Sequence, residues 1–154
     1  MTRQELPGIF YSDDRPGDEF EVSTAPGPEG WETSYQVTRE GADLGSVAVR
    51  HTLTGRLSEA YPVGARDLEV EVHTEDPQAL WAATHEIFEH DSACRRIVLA
   101  TNAGDIPAID FGERAGYRYV VDVEIPGDIE LSLLVAEPEW VLKEPRAIET
   151  RAGH

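Results

Sequence analysis

Three side chains of the heptapeptide DLEVEVH, Glu69, Glu71 and His73, are of the types that move protons. Side chains of a strand alternate between its faces, so these three share one face while Leu68, Val70 and Val72 share the other. Carboxylates and an imidazole set along one strand can accept and release protons, the chemistry of a general base or acid. The competing reading is an exposed strand face of alternating charge, with the apolar face turned to the core. No other histidines form a set. His85 and His90 lie five apart on a helical segment, off the i, i+4 spacing of a helical metal pair, and read as surface residues. His51 falls in a hairpin arm and His154 is the last residue, so no metal site is expected. Cys94 stands beside Arg95 and Arg96, which would lower its pKa if all three were exposed; a small, partly buried thiol at a strand entry is the preferred reading.

The elements that must position these groups can be read on either side of the heptapeptide. Thr74-Glu75-Asp76-Pro77 is a helix start, with Asp76 as cap and Pro77 in the first turn. The helix that follows, QALWAATHEIFEH, carries an apolar stripe of Leu80, Ala83, Thr84, Ile87 and Phe88. The run Ile97 to Ala100 then reads as a strand covered on both faces, giving a right-handed strand, helix, parallel strand unit. Asp105 caps a second helix with Ala108, Phe111, Gly112 and Ala115 on one face, and Gly116 ends it in the left-handed region. The segments YVVDVEI and IELSLLV form a hairpin around Pro126-Gly127-Asp128.

Upstream, Phe20 to Ser23 is a short strand, APGPEG a loop, and YQVTRE and LGSVAVRHTL a hairpin joined at GAD. The fold class is therefore α/β (α+β), a mixed and mostly antiparallel sheet with one β-α-β crossover, a second helix and a C-terminal hairpin. Residues 1–18 read as an arm that docks through Ile9, Phe10 and Tyr11. Residues 19–143 read as a single domain, with Trp140, Val141 and Leu142 covering an edge of its core. Residues 144–154 read as a frayed tail.

Composition excludes several function classes. With 154 residues, 40% of them hydrophobic, the chain suits one domain with a proper core. Thirty acidic against 13 basic residues give a net charge of −17, which repels nucleic acid and anionic membrane surfaces. A cationic ligand suits such a surface, although charge excess is more often a solvated exterior. One cysteine excludes an internal disulfide and a Cys-rich zinc site. No run approaches the ~20 apolar residues of a membrane span and no apolar signal region opens the sequence, so a soluble, cytoplasmic protein is expected.

The run NAGDIPAIDFGERAGYRYV resembles a segment of the GNAT-type N-acetyltransferases, an Asn followed by Ala, an aromatic residue, a charged pair, Gly and an aromatic residue. The matching residues are Asn102, Ala108, Phe111, Glu113, Arg114, Gly116 and Tyr117. With the order of elements, the resemblance covers about residues 35 to 138. It implies acetyl-CoA or another acyl-CoA as acyl donor, and a small-molecule or peptide amine as acceptor, with a homodimer compatible. Glu69, Glu71 and His73 are then the catalytic candidates. Val70, Val72, Thr74, Asn102 and Phe111 are the positions for the donor, the acyl arm lying along Val70 to Val72 and the pantetheine near Asn102. A V-shaped opening beside Val72, with backbone groups left without a strand partner, is what this reading expects.

Two positions depart from the family pattern. Family members carry an Arg/Gln-x-x-Gly-x-Gly/Ala loop before the crossover helix, whose N–H groups hold a pyrophosphate. Here HTEDPQAL stands in its place, without a glycine and with two acidic residues. Gly112 occupies the site of a common general-acid tyrosine and reads as a packing position. APGPEG is also too short for the two helices that usually join the first strands of this family. The alternative function is a GNAT-fold binding or interaction module without transfer activity.

Overall fold

The computed structural model describes residues 6–58, 64 and 66–143. Its centre is the strand carrying DLEVEVH, flanked on one side by an antiparallel meander and on the other by a parallel crossover strand. In chain order the elements are β1 (Ile9–Phe10), β2 (Phe20–Pro26), β3 (Thr33–Arg39), β4 (Ala42–His51) and β5 (Leu68–His73). Then follow α1 (Pro77–His90), β6 (Ile97–Asn102), α2 (Ile106–Arg114), β7 (Arg118–Ile125) and β8 (Ile129–Pro138). They form one sheet in the order β8-β6-β5-β4-β3-β2. Along the outer side of β8, β7 pairs antiparallel and β1 pairs parallel with its last two residues. Besides the β1–β8 pairing, β5 and β6 pair parallel, joined by the α1 crossover as the sequence pattern expects.

Local chemistry explains each junction that matters to the centre. The Asp76 side chain accepts from the Gln78 N–H at 2.9 Å, with Pro77 at the first helical position of α1. Asp105 caps α2 through the Ala108 N–H at 3.2 Å. Gly112 faces the sheet so closely that a Cβ would lie 2.9 Å from Leu134 Cδ2 and 3.0 Å from Leu99 Cδ2, so its place in α2 is a matter of packing. Gly116 has φ +100°, the left-handed turn that sends the chain into β7.

The β3–β4 turn falls on Glu40 and Gly41, φ +51° and +86°, rather than on the expected Gly-Ala-Asp. Two consecutive positive φ values match the right-handed twist of a tight hairpin. β2 runs on to Pro26, beyond the expected Ser23, and the remaining residues of APGPEG make a tight return closed by Gly27 N–H to Glu32 O at 3.2 Å. No helix separates β2 from β3.

Both helices pack on one face of the sheet. There Leu80, Ala83 and Ile87 of α1 meet Val47, Val70 and Leu99 in one core cluster. A second cluster lies on the opposite face, where Val98, Leu133 and Val135 are covered by Leu57, Leu131 and Ile125. His85 corrects a sequence expectation. It is buried, with its ring 5.0 Å from Phe10 and 5.1 Å from Trp81 between centroids. The reason is β1, which docks Phe10 onto the flank of α1 and buries a face that the helical stripe alone leaves open. Val141 is buried in the short 3-10 turn Glu139–Lys143. Residues 144–154 lie outside the described residues. Among the described residues no helix is long and apolar enough to cross a membrane.

Candidate active site

The sheet opens where β5 and β6 part. The two strands share three residue pairs, Leu68 with Ile97, Glu69 with Val98 and Val70 with Leu99. Beyond Val70 each continues beside its other neighbour, β5 to the pair Ser46–His73 and β6 to the pair Asn102–Leu131. The Leu68 N–H donates to Arg96 O at 3.0 Å, so the backbone of Leu68 is directed toward β6. Alternation then turns the N–H and C=O of Val72 the same way, past the last paired residues and into the opening. This is the V-shaped gap that the sequence reading expects.

A cleft of about 610 Å³ fills the gap. Val70, Val72, Thr74, Asn102 and Phe111, the five positions read as donor-binding, all line it. Of the three acid-base candidates only Glu71 does so. His73 Nε2 lies 2.8 Å from Glu71 Oε1, so the imidazole reaches the cleft through that carboxylate. Glu69 departs from the expected exposed face. It is 0% exposed, with Oε1 3.1 Å from Arg50 Nε and Oε2 3.3 Å from Arg56 Nε. A carboxylate removed from water needs such partners, and both come from chain segments well before β5. Arg50 is itself fixed, stacked 4.0 Å from the Trp31 ring and donating to Gly30 O at 3.2 Å.

The helix end beside the cleft does not offer an anion site. The Asp76 N–H donates to Thr74 Oγ1 at 3.1 Å, the Gln78 N–H to the Asp76 carboxylate and the Ala79 N–H to Asp76 O at 2.9 Å. Pro77 has no N–H to give, and the Thr74 hydroxyl donates to Leu44 O. Glu75 and Asp105 line the cleft on this side, adding negative charge where a phosphate would lie. The opening thus fits an extended, amide-bearing arm such as pantetheine. The α1 terminus does not fit the pyrophosphate of coenzyme A.

Of the lining residues that sequence reasoning left out of the site, three are charged: Arg56, Glu75 and Asp105. The last two were legible as parts of helix starts, but Arg56 sits in a long connection whose course depends on Leu57 and Glu69. Cys94 is fully buried, and burial raises its thiol pKa to about 12, so it is a packing residue and not a nucleophile. No cluster of three His, Cys, Asp or Glu suited to a metal occurs among the described residues.

No protein-family model and no curated protein matches the sequence. Solved structures do match the fold. A structure of AAC(6')-Ib with paromomycin and acetyl-CoA superposes with a TM-score of 0.57 at 15% identity, over 74% of this chain and 68% of that one. The fold is that of the GNAT-type N-acetyltransferases. An AAC(6')-Ib structure with coenzyme A and kanamycin gives a TM-score of 0.55 at 15% identity, over 68% of this chain and 66% of that one. An uncharacterized protein from Bacillus halodurans gives 0.55 at 16% identity, over 71% and 60%. The chain thus spans between 60% and 68% of the length of these structures. Within the GNAT fold, the gap between β5 and β6 is the feature to which the cleft residues belong.

Proposed function

We infer that the protein transfers an acyl group from an acyl thioester, of the acyl-CoA type, to an amine held on the open side of the cleft. One observation carries this reading: β5 and β6 separate after Val70 and Leu99, leaving the backbone of Val72 to pair with a ligand. An arm laid in the gap would accept and donate amide hydrogen bonds as a short strand does. The Val72 N–H is suited to polarise the thioester carbonyl. Glu71, backed by His73, takes a proton from the ammonium group of the acceptor. The free amine attacks the carbonyl carbon, a C–N bond forms and the C–S bond breaks; the second proton of the nitrogen passes through water to the departing thiolate, and the proton taken by Glu71 is released to solvent. Gly112 leaves no side chain at the usual general-acid position, and Tyr117 is no substitute. It is buried away from the cleft, bonded to Thr84 Oγ1 at 2.7 Å, and burial raises its pKa.

Calorimetry with acetyl-CoA and with S-acetylpantetheine, followed by thiol release over a panel of amines, tests the reading. Saturable binding of either donor and amine-dependent release of thiol support it. Absence of saturable heat with both donors at millimolar concentration would overturn it and leave a GNAT-fold binding module.

A further inference from the structure

We propose that the amine acceptor carries a carboxylate, as an amino acid does, and that Arg56 is its anchor. The inference rests on the acyl-transfer reading only for the fate of the amine. In a chain of net charge −17, the open side of the cleft holds a built positive centre. Two guanidinium groups, Arg50 and Arg56, face the single carboxylate of Glu69, and that carboxylate is fully buried. The buried Glu69 carboxylate holds in place the cation that reaches the cleft, Arg56 Nε lying 3.3 Å from its Oε2. Arg50 is occupied by Trp31 and Gly30, whereas Arg56 uses its Nε on Glu69 and is 45% exposed at the side chain. Its two terminal nitrogens have no partner among the described residues, and they are the fork that binds a carboxylate through two parallel bonds.

The segment presenting Arg56 is fixed on both sides. A Cβ at Gly55 would lie 2.6 Å from Arg50 Nε, so only glycine lets the chain rest on that guanidinium, and the next residue, Leu57, is 0% exposed. Arg56 and Glu71 lie on the same side of the sheet and line the same cleft, a cation and an anion for the two ends of a zwitterion. Ala100 and Leu131 complete this wall with apolar surface, suited to an aliphatic side chain.

The full-length protein is assayed with S-acetylpantetheine and acetyl-CoA as donors and with glycine, leucine, phenylalanine and their amides as acceptors. The free amino acids are expected to exceed their amides at least tenfold in kcat/KM. Arg56→Gln is expected to bring the two classes within about twofold by raising KM for the amino acids, and Arg56→Lys to restore part of the preference. In parallel, calorimetry measures N-acetylleucine against N-acetylleucinamide without any donor. Wild-type protein is expected to bind the acid at least tenfold more tightly, and Arg56→Gln to lose that difference. Equal binding of acid and amide by the wild-type protein, or a preference unchanged in Arg56→Gln, overturns the proposal. If the acid preference holds while no acceptor releases thiol, the anchor stands and the acyl-transfer reading falls. Transfer to amides as readily as to amino acids has the opposite meaning.

Discussion

At the scale of the residue, two glutamates two positions apart have opposite roles. Glu71 lines the cleft beside His73, whereas Glu69 is shut beneath two arginines. Glu71→Gln removes a proton acceptor without exposing or burying anything. Its kcat/KM for amine acetylation is expected to fall by about 10²-fold or more, with a midpoint of urea unfolding close to that of the wild type. Glu69→Gln leaves the partly exposed Arg50 and the more exposed Arg56 without their shared counter-charge, and a loss of about 1–3 kcal/mol in urea unfolding is expected. A stable Glu69→Gln variant would show that the arginines do not need that carboxylate. The alternation of DLEVEVH made the common face of Glu69, Glu71 and His73 legible. It could not distinguish the two carboxylates, because Arg50 and Arg56 precede Glu69 by 19 and 13 residues and reach it only through the fold.

At the scale of the element, the first turn of α1 spends its N–H groups on its own residues. Its cap was legible from Asp76 and Pro77 alone, because capping is local. Helix burial was legible only in part. The stripe Leu80, Ala83 and Ile87 faces the sheet, but His85 is buried by β1, a pairing across most of the chain that no helical periodicity encodes. The capped turn predicts an order of donor affinity. Each phosphate brought near Glu75, Asp76 and Asp105 meets like charge and, at the α1 turn, N–H groups of Asp76, Gln78 and Ala79 that are already paired, so pantetheine is expected to bind at least as tightly as coenzyme A in calorimetry at low salt. The triple change Glu75→Gln, Asp76→Gly, Pro77→Ala frees donors and removes two charges, and is expected to favour coenzyme A over pantetheine by tenfold or more. Wild-type protein that already binds coenzyme A tenfold more tightly than pantetheine would place the phosphates on groups other than this helix end.

At the scale of the whole molecule, one long-range junction buries an ionisable group. β1 pairs with the end of β8 and inserts Phe10 between α1 and the sheet, against Phe88, Tyr117 and the ring of His85. Burial, aided by the Arg15 guanidinium, lowers the His85 pKa to about 4, while Asp14 and Glu89 line the crevices beside the same ring. The folded protein therefore favours the neutral imidazole, and the unfolded chain, with a pKa near 6.5, binds the proton more readily. The contribution of His85 is fully present above pH 6.5 and is lost as pH falls from there toward 4, by up to about 3 kcal/mol. The many carboxylates also titrate over this range, and protonating them relieves repulsion, so the raw pH profile mixes opposite effects. A variant separates them. In His85→Leu every other group titrates as before, and the stability of the wild type relative to this variant is expected to fall as pH goes from 6.5 to 4, measured by urea unfolding at fixed ionic strength. A difference that stays constant over that interval would mean that the imidazole is as readily protonated in the fold as in the unfolded chain, and that the β1 junction is insensitive to acid.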